Sequence, residues 1–97
     1  IKHIPEKFAL VQNYPNPFNP ITNLRYDLPE QAQVTLTIYD LTGREVTQLV
    51  NTTQEPGFKS VRWDATDRHG KPASAGVYLY QIRAGEFVQT RKMVLLK

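Results

Sequence analysis

Apolar and polar residues alternate along most of this chain, and the period is two. Leu24, Tyr26 and Leu28 alternate with Asn23, Arg25 and Asp27, which predicts a half-buried strand over 21–28. Val34, Leu36 and Ile38 alternate with Thr35, Thr37 and Tyr39 over 33–40, and the β-branched side chains there reinforce the strand. A returning strand over 44–51 alternates imperfectly, with Val46 and either Leu49 or Val50 inward, so a bulge or irregular edge is expected. Strands follow over 58–65, with Val61 and Trp63 inward, over 77–84, with Tyr78, Tyr80 and Ile82 sharing a face, and over 87–96. A short edge strand is expected at Phe8 to Val11. Turn residues separate these runs. Asp40-Leu41-Thr42-Gly43 and Asp67-Arg68-His69-Gly70 each start a turn on aspartate and give glycine the left-handed position. Pro29 to Ala32, Gln54 to Gly57 and Gly85-Glu86 mark further turns, and 71–76 is a loop of mainly small residues. No segment keeps a helical period over three turns. About seven short strands in roughly 90 residues predict an all-β fold, an Ig-like antiparallel β-sandwich.

One stretch breaks the alternation. Tyr14-Pro15-Asn16-Pro17-Phe18-Asn19-Pro20 places three prolines in seven residues. Each fixes its own φ, lacks a backbone donor and pushes the preceding residue towards extended backbone. The stretch is therefore a stiff, kinked arm, neither helix nor central strand, that can press Tyr14 and Phe18 onto a neighbouring surface.

Composition narrows the function. The chain has 97 residues, 40% of them hydrophobic, which suits one domain with a modest core. Its net charge is +3, but the basic residues are scattered rather than gathered on one face, which argues against a nucleic-acid surface. There is no cysteine, hence no disulfide and no thiolate metal site. No apolar run approaches the ~18–20 residues that span a bilayer, so membrane insertion is not expected. Residues 1–7 read as a linker from a preceding domain and 8–97 as the domain itself, the tail module of a longer protein.

Little in the chain suggests catalysis or a cofactor. His3 and His69 stand outside any ligand or triad pattern and read as solvated. Asp40, Asp64 and Asp67 lack the interleaved spacing of a calcium loop, and two of them begin turns in different loops. Pro17-Phe18-Asn19-Pro20 has polyproline-ligand spacing but lies between strands, and reads as a structural corner. Asn51-Thr52-Thr53 fits a glycosylation pattern that matters only in a eukaryotic secretory protein. Tyr26, Tyr78, Tyr80 and Trp63 fall on inward faces, which favours core packing over a sugar platform and leaves Tyr39 as the exposed aromatic. The end of the chain, Arg91-Lys92-Met93-Val94-Leu95-Leu96-Lys97, is an apolar strand bracketed by basic residues. Domain ends commonly fray into polar tails. This one must close a sheet, and presentation to a partner by strand addition is the alternative.

Taken together, the proline arm, Tyr39 to Val46, Trp63-Asp64 with Asp67 to Gly70, Gly76 to Tyr80 and the terminal strand resemble the type A C-terminal sorting domain of the bacterial type IX secretion system. The resemblance covers residues 8–97. It places the family's Pro-Asn-Pro motif on Pro15, Asn16 and Pro17, its Gly-x-Tyr motif on Gly76 and Tyr78, and its terminal basic-apolar-basic motif on Lys92, Val94 and Lys97. Many members carry a glycine soon after Pro-Asn-Pro; here Phe18-Asn19-Pro20 follows, a variant similar to that of the Ig-like domain of the flagellar hook-capping protein. The resemblance implies a non-catalytic, cofactor-free monomer. Such a domain directs a passenger through the periplasm and across the outer membrane to the cell surface or medium. Its partners would be the outer-membrane secretion machinery, the cargo-processing peptidase and the upstream passenger. A structural Ig-like spacer or a carbohydrate-binding module of an extracellular enzyme are the alternatives.

Overall fold

The alternating runs become seven strands in a computed structural model that describes residues 3–97: β1 (Ala9–Leu10), β2 (Thr22–Leu28), β3 (Ala32–Asp40), β4 (Glu45–Gln54), β5 (Gly57–Trp63), β6 (Gly76–Ala84) and β7 (Phe87–Leu95). No helix occurs among the described residues. All strand pairs are antiparallel, in a three-stranded sheet β1-β2-β5 and a four-stranded sheet β4-β3-β6-β7. The fold is an all-β, Ig-like sandwich.

Each strand lies where its alternation requires. Leu24, Tyr26 and Leu28 of one sheet and Val34, Leu36, Ile38, Tyr80, Ile82, Met93 and Leu95 of the other fill a common core with Trp63. The irregular β4 carries two register shifts against β3, at Leu36/Thr37 and Ile38/Tyr39, and both Leu49 and Val50 pack against the core. The first strand is shorter than the apolar run 8–11 suggests, because only Ala9 and Leu10 pair with β2. Phe8 instead stacks on Phe87, with ring centroids 5.4 Å apart. Of the stretch read as a linker, Ile1 and Lys2 lie outside the described residues, while Pro5 is buried.

The proline arm crosses one open side of the sandwich. Its first half belongs to the three-stranded sheet: Tyr14 and Asn23 exchange both backbone hydrogen bonds, at 3.1 and 3.0 Å. Its second half belongs to the other sheet, where Phe18 forms a parallel bridge with Leu95. The three X-Pro peptide bonds of the arm are cis. Buried polar groups pin its base. The Asn13 amide donates to Thr22 Oγ1 and the Pro15 carbonyl, and the Thr22 hydroxyl donates to that same carbonyl. The Tyr80 hydroxyl accepts the Asn13 N–H and donates to the Val11 carbonyl, both at 2.8 Å. Since an orphaned buried polar group costs about 1–3 kcal/mol, this network fixes where the arm leaves β1.

Candidate functional site

A strand at a sheet edge presents unpaired N–H and C=O groups, and β7 is such a strand. The arm seals the last part of this edge. Phe18 N–H donates to the Val94 carbonyl at 3.0 Å, and Leu96 N–H donates to the Phe18 carbonyl at 2.8 Å. Val94 N–H donates to Asn16 Oδ1 at 2.9 Å, and Gln12 Nε2 donates to the Lys92 carbonyl at 2.9 Å. Arg91 Nε adds a bond to the Leu10 carbonyl, at 2.6 Å. Prolines 15, 17 and 20 have no N–H to offer this edge; Asn16 bonds it through its side chain and Phe18 through its backbone.

Phe18 anchors this junction. It is 2% exposed and packs against Trp63 at a centroid distance of 5.8 Å. Trp63 meets Tyr78 edge-on at 5.6 Å and donates its indole N–H to the Thr66 carbonyl at 2.9 Å. Tyr78 in turn donates to the Ser74 carbonyl at 2.6 Å.

The eight residues singled out in the sequence gather at this end of the molecule. Gly76 lies opposite Leu95 and Tyr78 opposite Met93 in the β6–β7 ladder, so the Gly-x-Tyr segment is the inner neighbour of the terminal strand. Asn16 touches that strand from the outer side, between exposed Pro15 and Pro17. Lys92 and Lys97 are exposed, and Val94 is half-buried. Gly76 has a φ of +147°, a backbone conformation that L side chains rarely adopt, and a Cβ there would meet open space. Of the two aromatics that the arm was expected to press onto a neighbouring surface, Phe18 does so and locks the arm to the core, while Tyr14 stays exposed.

The two aspartate turns, read from sequence as belonging to separate loops, line one open cleft of about 630 Å³ with Glu45, Arg68, His69 and Tyr78. They are built alike. The Asp40 carboxylate accepts the N–H groups of Thr42 and Arg44, and the Asp67 carboxylate accepts those of His69 and Lys71. Gly43 and Gly70 take φ of +87° and +83° and donate back to the Asp40 and Asp67 carbonyls. An ion pair of 2.7 Å between Arg68 and Glu45 and a bond from Arg68 N–H to the Val46 carbonyl join the second turn to β4. These bonds lower both carboxyl pKa values: at Asp40 chiefly the Thr42 hydroxyl, at Asp67 chiefly the Lys71 N–H. Both carboxylates are thus occupied in shaping their turns. No cluster of three or more metal-ligating side chains occurs among the described residues.

Tyr26, Tyr80 and Trp63 are at most 1% exposed and Tyr78 is 8% exposed, so all four are core residues rather than a platform. Tyr39 is half-buried on the outer face of its sheet, and Tyr14, on the arm, is the most exposed aromatic at 79%. Burial raises the pKa of Tyr26, Tyr78 and Tyr80 above the ordinary 10.0; the Asp40 carboxylate adds to the shift at Tyr78, while hydrogen bonds oppose it at Tyr26 and Tyr80. The folded chain therefore holds these protons after the unfolded chain has lost them, so their contribution is complete below pH 10 and fades as pH rises through the folded values. Urea unfolding should give a flat stability up to about pH 9.5 and a steady decline by about pH 11. An unchanged midpoint there would show that these phenols are not differentially protonated.

Comparison with known proteins agrees with this architecture. The family model described as the FlgD Ig-like domain matches residues 20–86. Among solved structures, the dimeric latent PorU of Porphyromonas gingivalis aligns with a TM-score of 0.73 and 23% identity, over 90% of this chain and 9% of that one. PorZ of the same organism, described as an essential bacterial surface component of the type-IX secretion system, gives 0.64 and 22%, over 92% of this chain and 12% of that one. FlgD of P. aeruginosa gives 0.60 and 20%, over 81% and 67%. The chain thus spans about a tenth of the first two, and identities this low establish the fold alone. No curated protein matches the chain in sequence. Because that family model covers more than half of the chain, from Pro20 to Glu86, the chain belongs to the family of FlgD Ig-like domains.

Proposed function

We propose that this chain is a non-catalytic sorting domain, residues 8–97 with a short lead-in at 1–7, that directs an upstream passenger across the outer membrane through the type IX secretion system. The outer-membrane machinery and its cargo-processing peptidase are its partners, no cofactor or nucleic acid is involved, and the monomer is the working form. The passenger ends at the cell surface or in the medium.

One observation carries this reading: the proline arm and the terminal basic-apolar-basic segment, some 78 residues apart in sequence, are bonded into one unit. Pro15, Asn16, Pro17, Lys92, Val94 and Lys97 share that corner, and Gly76 and Tyr78 support it from the adjacent strand. A reader of the terminus therefore meets the arm at the same time. The likeness in fold to PorU and PorZ supports the same reading.

Grafting residues 1–97 onto a periplasmic reporter, in a bacterium with an active type IX system, should bring the reporter to the surface. The same graft lacking Lys92 to Lys97 should stay in the periplasm. A reporter that remains periplasmic with the intact graft rejects the sorting role. Membership in the family of FlgD Ig-like domains favours a second reading, a structural spacer, in which the intact graft folds but does not move the reporter.

A further inference from the structure

The two long sides of the sandwich are finished differently. On one side the arm seals the end of β7, and Arg91 bonds the Leu10 carbonyl of β1. On the other side lie β4 and β5, the remaining edges of the two sheets. Apart from the bond from Arg68 N–H to the Val46 carbonyl, the backbones of β4 and β5 bond only β3 and β2 among the described residues. Two lengths of strand thus present unpaired N–H and C=O groups to solvent.

Only one of these edges is guarded. β5 carries Lys59 and Arg62, and Lys59, opposite buried Tyr26 in the ladder, points inward, a placement that discourages a further strand. β4 has no such guard. From Val46 to Gln54 it holds no charge, no proline and no glycine, and Val46, Thr47, Val50, Thr52 and Thr53 are β-branched. Register shifts twist an edge away from a newcomer, but both shifts of β4 lie before Val50. Val50 to Gln54 then pairs with Leu36 to Ala32 without a break. The polar side chains on the outer face of β4 are engaged by β3: Gln48 donates to Thr37 at 3.1 Å, Thr53 to Gln33 at 2.9 Å, and Gln33 to Asn51 at 3.1 Å. What this segment still offers is backbone.

The absence of charge points to the occupant. In a twofold pair of antiparallel strands an edge meets itself, so a strand with charges of one sign sets them against their own copies, at a cost. The β5 edge would set Lys59 and Arg62 against Lys59 and Arg62. The β4 edge sets amides, hydroxyls and aliphatic groups against their own kind. We infer that Val50 to Gln54 of β4 pairs antiparallel with the same segment of a second copy of this chain, joining two four-stranded sheets into one. The segment is short, so the pair is weak, of the class that buries less than about 1,200 Å². The inference goes beyond the sorting role and does not rest on it. β4 and β7 are opposite edges of one sheet, so the arm-and-terminus corner stays open in the pair. The monomer remains the form that sorting uses, and the pair is a second state reached as concentration rises.

Sedimentation equilibrium of the 97-residue chain, from roughly 10 μM to roughly 1 mM, should show the mean mass climb from 11.1 kDa towards twice that value. Hydrogen exchange at the concentrated end should slow by about tenfold or more at the edge amides of Val50 to Gln54 and stay unchanged at the arm. Thr52→Lys gives β4, on an exposed side chain, the kind of guard that β5 has, and should keep the chain monomeric throughout. Ser60→Lys, the same change on exposed β5, should leave the dissociation constant within about twofold. Each variant is first matched to the parent in thermal melting. A Thr52→Lys chain that melts lower is replaced by Thr53→Lys, also exposed, on the other face of the same segment. A chain monomeric at every concentration overturns the inference. So does pairing that Thr52→Lys spares, or that Ser60→Lys weakens as much. A mass that grows past two chains without limit overturns it too, because open stacking of edges is then the contact. Export of the reporter graft should be the same with Thr52→Lys as with the parent, so a failed pair and a failed sorting role are read in separate experiments.

Discussion

Phe18→Ala is expected to destabilise the domain by about 3–5 kcal/mol, the usual cost of emptying a buried phenylalanine site. The side chain is 2% exposed and touches Trp63, so its loss opens a cavity beside the largest core residue. A domain of ordinary stability, about 5–15 kcal/mol, would lose a large part of its margin. The effect is larger than the backbone bonds of the arm would suggest. Phe18 N–H and C=O survive the substitution, but nothing then holds them against Val94 and Leu96. Asn16→Ala makes the useful contrast. It removes one bond from an exposed side chain, worth about 0.5–1.5 kcal/mol, and leaves the anchor in place. Urea unfolding followed by circular dichroism compares the two. The single tryptophan is 1% exposed and reports independently, since its emission should shift to the red if the arm lifts. A loss below about 1 kcal/mol for Phe18→Ala would mean that the arm is held by its polar base alone.

Trp63→Ala should cost a similar or greater amount, about 3–5 kcal/mol, and for a different reason. Trp63 is the keystone between the arm and β6: Phe18 packs on one side of it, Tyr78 meets it edge-on, and its indole bonds the Thr66 carbonyl that begins the loop to the second aspartate turn. Removing it therefore loosens three elements at once. The two substitutions should not add. Their double mutant should be less destabilised than the sum by about 0.5–1.5 kcal/mol, the range for a paired aromatic contact. Strict additivity would show that the arm and Trp63 are energetically independent despite their contact. Both substitutions also bear on sorting, because a lifted arm exposes the edge of β7 from Lys92 onwards and invites pairing with other chains. Loss of export with either is thus open to a trivial explanation, so the fold of each variant must be checked beside its export.

The alternation within 21–28 and 33–40 and the shared face of Tyr78, Tyr80 and Ile82 were legible because a strand's period is a local property. The sequence therefore identifies which residues face inward, the turn glycines at 43 and 70, the irregularity of β4 and the stiffness of the arm. It also identifies the all-β class. The tertiary structure alone decided what the arm rests on. Asn16 meets Val94 and Leu10 meets Arg91 only once two sheets have formed and packed, and no local rule relates positions some 80 residues apart. The same holds for the two aspartate turns, each locally readable, which share a cleft because β4 and the loop after β5 converge. It holds also for Tyr39, Leu79 and Lys92, which become neighbours only through the β3–β6–β7 register. Alternation says which way a side chain points; the ladder says what stands beside it, and that choice is made by burial of the whole core rather than by any one strand.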